Sequence, residues 1–120
     1  MEDTPGKSIK PIVLKSPLRF SYFDYDEIVI LKAESNCTLV YTLENDSPVR
    51  VLHNLSYICK NYCNKTLYRC HKSYIINLCH IGKLLIKTQQ VQMRNNLTAK
   101  ISERCLREIM NMSELNMYKT

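Results

Sequence analysis

Apolar and polar positions along the chain change their period at about residue 54. Before that point they recur in short runs of strand character. Residues 9–14 read as a first strand, broken by Ser16-Pro17, and 18–23 alternate in part and read as a second. Asp24-Tyr25-Asp26-Glu27 reads as a turn or a single helical turn. Residues 28–33 form a continuous run with β-branched side chains, suited to a strand buried on both faces. After the polar turn Glu34-Ser35-Asn36, Thr38, Val40 and Thr42 alternate against Leu39, Tyr41 and Leu43. Composition marks 44–48 as a hairpin loop, and 49–52 pair back.

From residue 55 the period becomes helical. Leu55, Ile58, Cys59, Tyr62 and Cys63 fall on one face, and Asn54 stands where a side-chain oxygen can accept from first-turn amides. Strand character returns at 67–70, and 73–77 is ambiguous. Residues 81–86 and 91–93 predict a hairpin, although Thr88-Gln89-Gln90 is a weak turn signal. A last strand, 97–101, leads to Ser102 as the cap of a second helix that has Leu106, Ile109 and Met110 on one face. The prediction is a mainly β domain over 8–112 with two short helices, and flexible ends at 1–7 and 113–120.

The length, 120 residues, suits one ordinary domain. The longest aliphatic run, Ile28-Val29-Ile30-Leu31, is far short of the roughly 20 residues a spanning helix needs. Met1 to Lys7 has no apolar stretch behind it, which speaks against a secretory signal and for a cytoplasmic protein. Six cysteines and six Asn-x-Ser/Thr patterns (Asn36, Asn45, Asn54, Asn64, Asn96, Asn111) keep one rival open. That rival is a secreted, disulfide-stapled basic glycoprotein binding an acidic partner.

Charge changes the picture more. The net charge of +6 is unevenly spread, because no acidic residue occurs between Ser47 and Ser102. That stretch holds Arg50, Lys60, Lys65, Arg69, Lys72, Lys83, Lys87, Arg94 and Lys100. A one-signed stretch attracts polyanions, with nucleic acid the first candidate and an anionic membrane the second. Enzyme chemistry is poorly provided for. Only Gly6 and Gly82 are glycines, so no phosphate-cradling loop or nucleophile elbow can form, and the middle of the chain lacks carboxylates. The protein reads as a non-enzyme without a cofactor. Cys59, Cys63, Cys70-His71 and Cys79-His80 offer soft ligands, but their spacing matches no common zinc module. Thiols on an apolar helix face behave as small hydrophobes, so no metal site is expected.

The densest polar cluster is Arg69-Cys70-His71-Lys72-Ser73, set between apolar strand residues. Two cations with neutral donors suit phosphate oxygens and base edges, and His71 alone reads as a residue that pins the loop. A weaker reading is a single-strand-binding β module that stacks bases on Tyr41, Tyr68 and Tyr74.

Arg69-Cys70-His71-Lys72-Ser73-Tyr74-Ile75-Ile76-Asn77 resembles the signature of LytTR-type DNA-binding domains: arginine, any residue, His, Arg or Lys, Ser, an aromatic, two aliphatics, Asn. The order of elements over 8–112 is similar to that family's. The resemblance implies an elongated arrangement of small, mostly antiparallel sheets with two short flanking helices. It implies a transcription regulator that binds double-stranded DNA through loops in successive major grooves and bends it. Base-reading positions would be Asn36 or Cys37, Lys72 and Arg104. Arg69, Ser73 and Ser102 would lie near phosphates, and Lys65, Lys83, Lys87, Arg94 and Lys100 would add phosphate contacts. His71 and Asn77 would structure the central loop. A weak homodimer on repeated half-sites is implied, with no membrane partner. The sequence departs from the pattern in two places. Many members carry an aromatic or His near Cys37, and many place Arg directly after the serine, where Glu103 stands here.

Overall fold

The structure, a computed structural model, describes residues 10–119, with side chains as far as Met112. The expected tail 1–7 lies outside the described residues. Among the described residues ten strands, β1 (Ile12–Ser16), β2 (Arg19–Phe23), β3 (Ile28–Glu34), β4 (Cys37–Thr42), β5 (Val49–Val51), β6 (Leu67–His71), β7 (Tyr74–Asn77), β8 (Ile81–Leu85), β9 (Gln90–Met93) and β10 (Thr98–Lys100), accompany two α-helices, α1 (Leu55–Tyr62) and α2 (Glu103–Lys119). The segment 24–27 is a single 3-10 turn, Tyr25–Glu27, and a second such turn, Leu78–His80, follows β7.

The strands form three antiparallel sheets: the hairpin β1-β2, the five-stranded sheet β5-β4-β3-β7-β6, and the three-stranded sheet β10-β9-β8. The ambiguous segment 73–77 proves to be β7, between β3 and β6 near the centre of the large sheet. Its apolar pair Ile75-Ile76 is fully buried, with one residue on each face.

The β-branched run of β3 is what lets one sheet serve two cores. Ile28 and Leu31 pack under α1 and the β1-β2 hairpin, while Val29 and Ile30 pack toward the three-stranded sheet and α2. Val29 and Ile30 can share a side because a register shift between Ile28 and Ile30 interrupts the alternation. Each such aliphatic contributes about 1.5–3 kcal/mol relative to exposure.

Asn54 caps α1, its Oδ1 accepting from the Tyr57 amide at 2.8 Å. The hairpin leans on α1 and β5. The Leu52 amide donates to the Lys15 carbonyl at 2.8 Å, and the Tyr62 hydroxyl donates to the Val13 carbonyl at 3.2 Å. At the other end of the chain α2 continues to Lys119, so the backbone is helical through most of the stretch expected as a tail.

Several asparagines of the Asn-x-Ser/Thr patterns have backbone duties. Asn64 accepts from the Thr66 and Leu67 amides, and Asn96 takes φ 73°, a conformation Asn tolerates better than most residues. With the Asn54 cap, these roles give asparagine a structural reason at three of the six patterns.

Candidate nucleic-acid interface

Turn chemistry and strand register bring the predicted base-reading positions toward one end of the large sheet. The turn Ser35-Asn36 closes β3 onto β4, with Ser35 at φ 57°. Lys72-Ser73 closes β6 onto β7 in two residues, and a register shift between Arg69 and His71 adjusts the entry. β3 pairs with β7, and the Ala33 amide donates to the Ser73 carbonyl at 2.9 Å, so the two turns are neighbours. α2 begins beside them, because the Ser102 amide donates to the Cys70 carbonyl at 2.9 Å. Ser102 Oγ accepts from the Cys105 amide at 3.2 Å and caps the helix, leaving Arg104 exposed in its first turn. α1 starts at this end too, since the Thr38 hydroxyl donates to the His53 carbonyl at 2.8 Å.

Two of the motif's polar residues are engaged within the protein. Arg69 donates through Nη1 to Ser56 Oγ at 3.2 Å and through Nη2 to the Lys72 carbonyl at 2.7 Å, tying α1 to the β6–β7 turn. His71 Nδ1 accepts from the Ser73 amide at 3.1 Å. Accepting there requires an unprotonated nitrogen. Burial and the nearby Lys100 and Lys72 charges hold the His71 pKa below its usual value, which favours that form. Lys72 itself is exposed and makes no ion pair among the described residues.

Asn77 is fully buried. Its Nδ2 donates to the Tyr25 and Ile28 carbonyls, both at 2.9 Å, and its Oδ1 accepts from the Cys79 amide at 2.8 Å. It ties β7 to the start of β3, at the end remote from Lys72.

The basic run does not form one patch, because the chain reverses direction too often. Lys100 and Lys72 both act on His71 and so lie together. Lys87 sits in the β8–β9 turn, whose Gln89 carbonyl accepts from the Ile101 amide, one residue before Ser102. Lys83 lies within β8. Lys65 and Arg94 are at the remote end: Thr66 bonds Leu78, and the Arg94 amide donates to the His80 carbonyl. The two acids nearest the turns are matched by cations. Glu34 pairs with Arg50 at 3.7 Å, and Glu103 pairs with Arg107 at 2.6 Å.

Sequence reasoning missed three features here. Arg50 lies over Cys37, donating to Sγ at 3.6 Å. The rings of His53 and Tyr57 stack at 4.4 Å on the first turn of α1. The β1–β2 turn with Lys15 and Arg19 lies toward this end, since Lys15 bonds Leu52 while Val13 bonds Tyr62 at the far end of α1. No charge run flags the hairpin, which lies in the near-neutral half of the chain.

Tyr41, Tyr68 and Tyr74 pack half-buried against the second core, and Tyr68 donates to Glu108, so the stacking role considered for them gives way to a packing role. All six cysteines are free thiols, which leaves the disulfide-stapled alternative without support. Burial pushes Cys70 and Cys63 up to about 12. Among the described residues no three His, Cys, Asp or Glu side chains converge as a metal site would need. Nor, among them, is any helix long and apolar enough to cross a membrane.

Turns and the start of α2 thus meet at one end of a β scaffold. The family model of the LytTr DNA-binding domain matches residues 19–114, and the chain belongs to that family. A solved LytTr DNA-binding domain from Bacillus cereus, from a chain assigned as a methyl-accepting/DNA response regulator, superposes with a TM-score of 0.70. It is 19% identical and covers 85% of this chain and 97% of its own, so the likeness establishes the fold. No curated protein matches the sequence at a significant level.

Proposed function

We propose that the protein binds double-stranded DNA as a transcription regulator, through the end of the sheet where the turns meet. Asn36 with Cys37, Lys72 and Arg104 enter successive major grooves, and the duplex bends to meet all three. The observation that carries this reading is the chain of backbone hydrogen bonds from Ala33 to Ser73 and from Cys70 to Ser102, which supports holding three sequence-distant elements together. Lys72 and Arg104 donate to guanine acceptors. Ser73, Lys87, Lys100 and Ser102 meet phosphates. At Ser102 the helix start adds amide dipoles that favour an anion. Lys83 flanks this surface, while Lys65 and Arg94 act from the remote end through the protein's field. Arg69 holds the Lys72 turn in place. The protein pairs weakly on repeated half-sites.

Titrating duplex DNA at several salt concentrations tests the electrostatic part. The two phosphate-contacting cations, Lys87 and Lys100, give log K against log salt a slope of about −2. A flat line would sink the reading. Arg104→Ala is expected to weaken a selected site more than random duplex, by about 1–3 kcal/mol. Equal loss on both would make Arg104 a phosphate contact.

A further inference from the structure

The outer face of the β1-β2 hairpin carries aromatic surface that the fold does not use. Phe20 is 61% exposed and Tyr22 68% exposed, and they stand two residues apart on one face of β2 while Phe23 turns into the core. Leu18, at the turn, is 97% exposed. Among the described residues β2 has no strand partner on its outer edge. From residue 12 to residue 23 the only charged residues are Lys15 and Arg19, both cations. Lys15 Nζ rests over the Phe20 ring, 5.0 Å from its centroid.

We propose that this face is a second nucleic-acid site, a stacking platform for unpaired bases of a single strand. Phe20 and Tyr22 each take a base. Same-face neighbours on a strand lie about 6.8 Å apart, close to twice the 3.4 Å rise of stacked bases. An aromatic face is sequence-tolerant, because every base offers a π surface. Lys15, the cross-strand partner of Phe20, meets the phosphates that accompany the bases, and Arg19 beside the turn adds positive field from the other side of the strand; a phosphate gives Lys15 a stronger partner than a ring face does. Charge decides the occupant. A second copy on this face would gather two Lys15 and two Arg19 side chains with no carboxylate of the hairpin to offset them, whereas a polyanion is matched by them. The location agrees, because the Lys15–Leu52 hydrogen bond places the hairpin turn toward the end proposed to meet duplex DNA. The platform rests on the nucleic-acid reading above and adds a ligand class to it, namely strand opened beside or apart from the duplex.

The test uses the full chain and a fluorescently labelled oligo-dT of about ten nucleotides, read by anisotropy at low salt. A labelled random duplex is titrated in parallel. The expected result is that wild type binds the oligo-dT. The double variant Phe20→Ser, Tyr22→Ser should lose at least tenfold on oligo-dT, as two stacks of about 1–3 kcal/mol each require, while duplex affinity changes less than twofold. The conservative Phe20→Tyr variant should retain binding, and equal melting temperatures exclude unfolding as the cause of any loss. No binding to oligo-dT, or an unchanged affinity of the double variant, overturns the platform while leaving duplex binding intact. Loss of self-association in sedimentation, or of binding to phosphatidylserine vesicles, with oligo-dT binding unaffected, also overturns it. The first would assign the face to a second copy and the second to an anionic membrane. Loss of duplex binding alone, with oligo-dT retained, would sink the duplex reading and keep the platform.

Discussion

Removing the Arg69 guanidinium separates two roles that the same side chain could play. In the structure it makes two charge-assisted hydrogen bonds, to Ser56 Oγ and to the Lys72 carbonyl, both close to solvent. Such bonds are worth about 1.5–3 kcal/mol each when shielded, and roughly half that when exposed. Arg69→Ala therefore costs about 2 kcal/mol of stability, a fall in Tm of about 8 °C for a chain of this size. It also frees the turn that aims Lys72. One base contact is then poorly placed, and affinity for a selected site falls about tenfold, while random duplex changes less than twofold. No phosphate contact is lost, so the slope of log K against log salt stays the same. The assay is a urea titration followed by DNA titrations at several salt concentrations. The clamp would be refuted by intact stability, equal loss on both DNAs and a slope shallower by about 0.9, the signature of a lost phosphate contact.

Asn77→Ala strips three hydrogen bonds from a fully buried site, at about 1 kcal/mol each, so thermal unfolding should shift down by about 12 °C; a shift under about 4 °C would show that water replaces the amide. The folded-state pKa of His71 is depressed, so the folded protein binds fewer protons than the unfolded chain. Its stabilising contribution is complete above the ordinary histidine pKa of about 6.5 and is lost as pH falls from there through the folded value. Urea midpoints between pH 7.5 and 5 should drop, and less so for His71→Gln; an identical drop in both proteins would remove His71 from the explanation. A thiol reagent at neutral pH should label exposed Cys79 first, with Cys70 and Cys63 slowest because their thiols are pushed up to about 12. Mass mapping of the labelled sites checks the order.

How much of this was legible in the sequence depends on the range of the signal. α1 was readable because its apolar face and its Asn54 cap are local. β3 was readable because its apolar run is. The segment 73–77 was not, since Asn77 looks like a turn residue until its amide is seen bonding backbone 49 and 52 positions away. The β8–β9 turn was weakly marked because Gln89 takes φ 52° where glycine or asparagine would announce it. Sequence spacing could not show that Arg69 turns to Ser56 while Lys72 stays exposed. Nor could a linear run of cations reveal its own geometry. Antiparallel strands place successive turns at opposite ends of a sheet, so Lys65 and Arg94 part company with Lys72 and Lys100.

The amide of Ser102, bonded to the carbonyl of Cys70, makes the distance between the β6–β7 turn and the start of α2 a property of backbone rather than of loops. In the proposed complex the protein is then a ruler of fixed length. Adjusting the separation of Lys72 and Arg104 would break sheet and cap hydrogen bonds, whereas DNA bends smoothly over a site of this kind for a few kcal/mol. In that complex the duplex would be the partner that yields. The stiffness of the sequence between contacted bases should therefore count toward recognition as much as the bases themselves.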